Sequence, residues 1–250
     1  MKYWDVSWNP VSGCSPCSPG CDNCWAKRMA YRLKGRFGYP TDNPFKVTFH
    51  PERLDDPLKW KNPKRIFVCD MGDLFHEGVP SDFITKVFAK MIANKQHTFL
   101  ILTKRAKRMA EHFGEFIKVF PIENIWWGTT VCNQAETNEK IPILLQIPAA
   151  HRWVSIEPIL GPVNLSRALP IDKYKRQAIE SGPSSNLDWI VLGGETGPKA
   201  RLLHPDWVRS MIQQCKNAGV PFFIKQLNKD DGKDINKWSE DLRIREMPCK

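Results

Sequence analysis

Residues 13–25 read Gly13-Cys14-Ser15-Pro16-Cys17-Ser18-Pro19-Gly20-Cys21-Asp22-Asn23-Cys24-Trp25, and this run holds four of the eight cysteines in the 250-residue chain. The prolines and glycines within it disfavour a regular helix or strand, because proline lacks an N–H group and glycine is conformationally free. A loop of this kind can bend so that its thiolates surround one centre. The sequence therefore predicts a metal ion or an inorganic cluster at this loop.

The spacing of the cysteines limits the choice of metal. The remaining cysteines are scattered singly, at Cys69, Cys132, Cys215 and Cys249. No signal peptide or long apolar span opens the sequence, so we expect a reducing cytoplasm and no disulfides. Structural zinc sites usually separate two Cys-x2-Cys pairs by about 15 to 20 residues, but only three residues separate the pairs here. An iron–sulfur cube suits such spacing better than zinc, because each iron takes its own thiolate.

Two sets of three cysteine ligands are compatible with this loop. Cys17-x3-Cys21-x2-Cys24 has the spacing of the radical S-adenosylmethionine (SAM) superfamily, although Asn23 stands where an aromatic residue is often found there. Cys14-x6-Cys21-x2-Cys24 is the other set. Either set leaves one iron of a 4Fe–4S cluster without a protein ligand, and an open position distinguishes a catalytic metal from a structural one.

Short apolar runs alternate with helical stretches along the rest of the chain. The predicted strands are a first one near Trp4 to Trp8, then Arg65–Cys69, Thr98–Leu102, Asn124–Thr130, Arg152–Ile156, Leu187–Leu192 and Pro221–Lys225. The predicted helices are Asp82–Asn94, Lys107–Lys118, Asn138–Gln146 and Pro205–Ala218. This alternation implies a parallel sheet. We expect one α/β domain over residues 1–250, a partial (β/α) barrel with a cluster loop at 13–25.

Polar residues recur where the predicted strands end, which is where the chemistry of such barrels is located. They are Asp70, Asp73, Thr103, Lys104, Thr130, Asn133, Glu157, Glu195, Lys225 and Gln226. A single residue of this kind is usually a loop residue or a helix cap. Recurrence at every strand end predicts a shared pocket.

A glycine-glycine-acid element occurs late in the chain, at Gly193-Gly194-Glu195. It resembles the element that holds the methionine amino group of SAM in radical SAM enzymes. That element normally follows the second strand, where this chain has Met71-Gly72-Asp73. Glycine lets a ligand approach the backbone closely, and a carboxylate pairs with an ammonium group. Either segment can therefore hold the cofactor amine while the other faces the substrate.

The charge of the chain points to a polyanionic partner. There are 37 Lys and Arg residues against 27 Asp and Glu, which gives a net charge of +10. Five basic residues directly follow the cluster loop: Lys27, Arg28, Arg32, Lys34 and Arg36. Aromatic residues lie among them, the mixture expected where phosphates are neutralised and bases stack. No apolar run reaches the length of about 18 to 20 residues that a membrane span requires.

Several short motifs, spread over nearly the whole chain, give it a family resemblance. They are Trp8-Asn9-Pro10-Val11-Ser12-Gly13-Cys14, Ser18-Pro19-Gly20-Cys21-Asp22-Asn23-Cys24, Asp73-Leu74-Phe75-His76, Leu102-Thr103-Lys104-Arg105, Ser155-Ile156-Glu157-Pro158, Gly193-Gly194-Glu195-Thr196-Gly197 and His204-Pro205-Asp206-Trp207-Val208-Arg209. On these motifs the chain resembles the phage-encoded radical SAM-like iron–sulfur proteins. The resemblance implies a barrel of the radical SAM type. It also implies Cys14, Cys21 and Cys24 as cluster ligands, with Cys17 as a departure from the family pattern.

The resemblance further implies two cofactors, a 4Fe–4S cluster and SAM, and an external electron donor. The reduced cluster would cleave SAM to methionine and a 5′-deoxyadenosyl radical, which removes a hydrogen atom from the substrate. We expect the residues that hold SAM to be Asp73, Thr130, Asn133, Gly193, Gly194 and Glu195. We expect the residues that meet the substrate to be Lys104 and Lys225 for an anionic group, and Glu157 and Glu195 for an amine.

The expected substrate is DNA, held by the basic residues after the cluster loop. Phages that carry such proteins often hypermodify thymine, so we expect an isomerase that moves an amino-acid substituent on thymine from a nitrogen to a carbon linkage. The base would be flipped out of the duplex. We expect a monomer in the cytoplasm of an infected bacterial host. The alternatives are a lyase or base-modifying enzyme that acts on damaged DNA or tRNA, and a zinc-stabilised nucleic-acid-binding protein without catalysis.

Overall fold

Seven parallel strands form the main sheet of the computed structural model, which describes residues 2–113, 122–170, 186–228 and 234–248. Two further strands, β2 and β3, pair antiparallel beside it. The strands are β1 (Val6–Trp8), β2 (Val11–Ser12), β3 (Thr48–Phe49), β4 (Arg65–Val68), β5 (Thr98–Ile101), β6 (Ile125–Val131), β7 (His151–Ile156), β8 (Trp189–Gly193) and β9 (Phe222–Gln226). The main sheet runs β1-β4-β5-β6-β7-β8-β9. This order follows the sequence without reversal, as in a (β/α) barrel and unlike a doubly wound sheet.

Helices follow most of these strands. The α-helices of the described residues are α1 (Trp25–Arg32), α2 (Asp56–Lys59), α3 (Ser81–Ala93), α4 (Ala106–Phe113), α5 (Gln134–Gln146) and α6 (Pro205–Ala218). In the part of the chain that the structure describes, no helix combines the length and apolar character needed to cross a bilayer.

The residues of each strand alternate between two buried clusters, because successive side chains of a strand point to opposite faces. On β5, Phe99 and Ile101 belong to the large cluster that includes the helices, whereas Leu100 belongs to a second cluster on the other face. Aromatic rings dominate this second cluster, and the Tyr3 and Trp189 ring centroids lie 5.1 Å apart. Such aromatic pairs contribute about 0.5–1.5 kcal/mol beyond their buried area. The inner face of the sheet is therefore filled by side chains below the cavity described next.

The predicted parallel sheet is confirmed, and each predicted strand is found within two residues of its expected ends. Helix α5 begins one turn before the predicted Asn138, because the Asn133 side chain caps it by accepting from the N–H of Glu136 at 2.9 Å. The predicted helix Lys107–Lys118 is observed as α4, and residues 114–118 lie outside the described residues. Helix α1 was not predicted, because its apolar positions lie among the basic residues that dominate this stretch.

Candidate active site

A cavity of about 460 Å³ lies where the strands of the main sheet end. The four cysteines of the cluster loop line it together with residues from the carboxyl ends of the strands. The predicted residues that line it are Asp70, Asp73, Thr103, Lys104, Thr130, Glu157, Gly194, Glu195, Lys225 and Gln226. The shared pocket that the strand ends predicted is thus present in the structure.

Glycines let the cluster loop approach the sheet closely. Gly13 has φ +81° and forms a bridge with Gly72, and its N–H donates to the carbonyl of Met71 at 2.9 Å. A Cβ atom at Gly13 would lie 2.1 Å from the Lys46 carbonyl oxygen. Only glycine fits both this backbone conformation and this contact, so the position of Cys14 depends on its neighbour.

The loop cysteines are free thiols in unlike surroundings. Cys17 lies beside Cys21, and the influence of this neighbour lowers the pKa of Cys21 to about 5 and raises the pKa of Cys17. Burial raises the pKa of Cys14 to about 11. The Cys24 sulfur caps helix α1 and accepts from the N–H of Lys27 at 3.4 Å. Cys249 lies outside the described residues.

A second cavity of about 610 Å³ is also lined by residues of the cluster loop. Cys14, Cys21 and Cys24 line this cavity as well as the first, while Cys17 is an exposed residue that lines the first. Within the described ranges, no three Cys, His or carboxylate side chains already converge in the arrangement of a metal site. Three of the four thiols nevertheless border both cavities.

The Asp73 carboxylate is buried and binds the cluster loop through an arginine. It accepts from the Thr103 hydroxyl at 2.7 Å, from the N–H of Phe75 at 2.9 Å and from Arg105 Nη1 at 3.2 Å. Arg105 in turn reaches Cys14. Asp73 is therefore engaged by a cation, and its predicted role in holding the SAM ammonium stays a prediction.

The Glu195 carboxylate is engaged in the same way at the other end of the loop. Arg201 Nη2 lies 2.5 Å from Glu195 Oε1 and 2.8 Å from the carbonyl of Pro19, and Arg201 Nη1 lies 3.1 Å from Asp22. The Asn23 amide donates to Glu195 Oε2 at 2.9 Å. Although burial opposes ionisation, these donors lower the pKa of Glu195. Its roles toward SAM and substrate likewise stay predictions.

Glu157 and Lys225 form an ion pair within the cavity. Lys225 Nζ donates to both carboxylate oxygens of Glu157, at 2.7 and 2.9 Å, and Nζ also lies 5.6 Å from the ring centroid of Trp4. A Cβ atom at Gly193 would lie 3.2 Å from the Glu157 carboxyl carbon, so the glycine gives this carboxylate its room. Gly193 thus supports the ion pair and does not itself line the cavity.

Lys104 lines the cavity together with the four cysteines, and its charge interacts with theirs. Burial opposes its positive charge, but the neighbouring Cys132, Cys21 and Cys24 side chains and the Asp73 carboxylate favour it, and the pKa of Lys104 is raised overall. An ammonium group is therefore placed in the cavity beside the sulfurs.

Asp70 was not among the predicted cofactor ligands, although its place at the end of a strand was noted. It lines the cavity and accepts from the Ser7 hydroxyl at 2.6 Å and from the Asn9 amide at 2.8 Å. Among the described residues, no cation forms an ion pair with it. The signal that could have selected Asp70 is its position directly after β4, next to Met71-Gly72.

Two groups of predicted residues are placed away from the cavity. Asn133 caps helix α5 and does not line the cavity. Of the basic residues after the cluster loop, Arg28 donates to the carbonyl of Thr196 at 2.7 Å and is partly buried. The other four are exposed: Lys27, Arg32, Lys34 and Arg36. Trp25, Tyr31 and Phe37 are exposed beside them.

Comparison with known proteins places the chain in a family. The family model described as protein of unknown function, DUF5131, matches residues 1–246, so the chain belongs to the DUF5131 family. A comparison with curated proteins gives no match.

Two solved structures are similar to this chain. One is spore photoproduct lyase complexed with dinucleoside spore photoproduct, with a TM-score of 0.46 and 8% identity over 85% of this chain and 61% of that chain. The other is a mutant of spore photoproduct lyase with bound AdoMet and dinucleoside spore photoproduct, with a TM-score of 0.44 and 10% identity over 83% of this chain and 60% of that chain. The chain thus spans about three fifths of the length of these structures.

Proposed function

We propose that this member of the DUF5131 family is an iron–sulfur enzyme of the radical SAM type that acts on a nucleic acid. The observation that carries the proposal is the placement of Cys14, Cys21 and Cys24. These three cysteines line a cavity at the carboxyl ends of seven parallel strands and also line the second cavity. The carboxyl ends of barrel strands are where catalytic groups collect.

The chemistry of the donor set fits a cluster held by three thiolates. Cys14 accepts from a guanidinium group, Cys24 accepts from a helix N–H, and the pKa of Cys21 is lowered beside Cys17. Donors and helix N-termini of this kind stabilise the thiolate form that binds iron. When bound, a cluster with one open iron would supply the electron that cleaves SAM. The ligands we propose are therefore Cys14, Cys21 and Cys24, with Cys17 as a neighbour.

The cavity offers groups for SAM beside the thiols. Asp70 carries a carboxylate that pairs with no cation of the described residues, so it suits the ammonium group of SAM. Thr130 supplies a hydroxyl, and the Gly194 segment lets a ligand approach the backbone. Asp73 and Glu195 bind the cluster loop through Arg105 and Arg201. We therefore propose that these two carboxylates help to position the cluster.

The Glu157–Lys225 ion pair suits a substrate that carries both charges. An α-amino acid has an ammonium group for Glu157 and a carboxylate for Lys225, and Lys104 is a further cation in the same cavity. We therefore propose that the enzyme is an isomerase that acts on phage DNA. It would move an amino-acid substituent of thymine from a nitrogen to a carbon linkage. The exposed basic and aromatic residues of α1 and the turn after it would hold the DNA backbone.

Metal analysis of protein purified without oxygen tests the proposal. We expect a brown protein with about four irons and equal sulfide per chain, as a single 4Fe–4S cluster requires. A colourless protein that holds zinc at the same cysteines would contradict the proposal and support a nucleic-acid-binding protein without catalysis. The matched control is the Cys215→Ala variant, because Cys215 is buried far from the loop in the large core cluster.

A further inference from the structure

The Arg105 side chain joins the start of the cluster loop to the sheet. Its Nη1 donates to the Cys14 sulfur at 3.3 Å, and its Nη2 donates to the carbonyl and hydroxyl oxygens of Ser15 at 3.1 and 3.2 Å. On the other side, Nη1 meets Asp73 at 3.2 Å, and Nε donates to Glu77 at 2.8 and 2.9 Å. All three guanidinium nitrogens are thus used.

The guanidinium is also fixed in place. Only 6% of the Arg105 side chain and 7% of the Asp73 side chain are exposed. Thr103 donates to Asp73 and accepts from the backbone N–H of Arg105 at 2.9 Å, so the carboxylate and the arginine are bound to the same hydroxyl. A buried cation with this many partners cannot turn away from the Cys14 sulfur without losing several hydrogen bonds.

We infer that Arg105 is the residue that positions the cluster and tunes its reduction potential through the Cys14 sulfur. The inference rests on the proposed function, because it requires a cluster at this loop. Potentials of iron–sulfur clusters depend on hydrogen bonds to the sulfurs, on nearby charge and on solvent exposure. A buried guanidinium that donates to a ligand sulfur stabilises the reduced cluster, which carries one more negative charge.

The contact also distinguishes the two possible ligand sets. Cys14 receives the guanidinium N–H at 3.3 Å, whereas Cys17 is exposed and receives no hydrogen bond from Arg105. A hydrogen bond from a cation stabilises a thiolate that binds iron, whereas a neutral thiol that binds no iron gains much less from it. Arg105 therefore belongs with Cys14, Cys21 and Cys24 as one functional unit.

The test compares Arg105→Gln and Arg105→Lys with Arg108→Lys in reconstituted full-length protein. Arg108 lies three residues further along, in helix α4, and donates to the carbonyls of His76 and Val79, but it donates to no sulfur of the described residues. The readouts are iron per chain, the paramagnetic resonance spectrum of the reduced cluster and its midpoint potential. The melting temperature of each iron-free variant reports any structural damage. Arg105→Lys keeps a charge but loses the planar fork of donors.

We expect Arg105→Gln to raise the ratio of oxidised to reduced cluster about tenfold at a fixed potential, which is about 59 mV for one electron. Arg105→Lys should show a smaller shift and an altered resonance spectrum, and Arg108→Lys should match the wild type. Loss of iron from both Arg105 variants, with melting temperatures equal to that of Arg108→Lys, also supports the inference. Loss of iron with a collapse of the melting temperature, an unchanged potential, or an equal shift in Arg108→Lys overturns it. Wild-type protein that takes up no iron overturns the proposed function and the inference together.

Discussion

The two ends of the cavity are held by different kinds of interaction. At the thiol end, the cluster loop is fastened at its start by Arg105 with Asp73 and towards its end by Arg201 with Glu195. At the Glu157 end, where the Glu157–Lys225 pair lines the cavity, strand β9 carries Lys225 and Glu157 directly follows strand β7, so the sheet itself positions this pair. A loop without regular structure needs side-chain ion pairs to define its shape, whereas backbone hydrogen bonds hold strands β7, β8 and β9 together. Changes at the thiol end should therefore affect metal binding, and changes at the Glu157 end should affect the substrate.

Loss of a ligand sulfur should give the largest effect. We expect Cys14→Ala, Cys21→Ala and Cys24→Ala each to abolish bound iron, because a cluster with two protein ligands is not retained. Cys17→Ala should keep most of its iron, because Cys17 is an exposed neighbour of the ligands. Iron content after anaerobic reconstitution measures this. Retention of iron in Cys14→Ala with loss in Cys17→Ala would reverse the ligand set.

Loss of the Arg201–Glu195 ion pair should give the next largest effect. Arg201→Ala leaves the buried Glu195 carboxylate with fewer donors, which costs about 1–3 kcal/mol, and it frees Pro19 and Asp22 from the same guanidinium. We expect a lower melting temperature and a partial loss of iron. Arg209→Ala is the matched control, because Arg209 forms exposed ion pairs away from the cavity. Equal iron content in the two variants would show that the Arg201–Glu195 ion pair does not hold the loop.

Substitution at the Glu157 end should spare the metal and affect the substrate. Glu157→Gln and Lys225→Met should keep wild-type iron content but bind an amino-acid-modified nucleotide roughly tenfold more weakly, since a charge-assisted hydrogen bond contributes about 1.5–3 kcal/mol. Equilibrium binding measures this. Asp241→Asn removes one partner of an equally short ion pair, 2.7 Å, outside the cavity and serves as the control. Equal affinity in all four proteins would place the substrate elsewhere.

Charge reversal of the exposed basic residues on helix α1 and directly after it should give the smallest effect. A variant with Lys27→Glu, Arg32→Glu and Lys34→Glu should bind duplex DNA more weakly and with a shallower salt dependence, because fewer phosphate contacts release counterions. The control reverses three exposed lysines on other surfaces: Lys86, Lys95 and Lys216. Fluorescence anisotropy at several salt concentrations compares the two. Equal weakening would mean that net charge alone determines binding.

The sequence was sufficient for the sheet but not for the loop. Runs of apolar residues such as Arg65–Cys69 and Pro221–Lys225 predicted strands within two residues, because buried parallel strands require continuous apolar sequence. The pocket at their ends followed from barrel geometry. The partners of Asp73 and Glu195 did not follow, because Arg105 is 32 residues from Asp73 in the chain and Arg201 reaches Glu195 within an irregular segment that has no periodic pattern. The same carboxylates that a motif assigned to a cofactor are engaged by these arginines in the structure.

Formation of 5′-deoxyadenosine would show directly that the protein cleaves SAM as a radical SAM enzyme does. Reconstituted protein, reduced with dithionite and supplied with SAM, is analysed by chromatography for 5′-deoxyadenosine and methionine beside the Cys21→Ala variant. We expect both products from the wild type and neither from the variant. A wild-type protein that holds iron and SAM but releases no 5′-deoxyadenosine, with or without modified DNA, would contradict it.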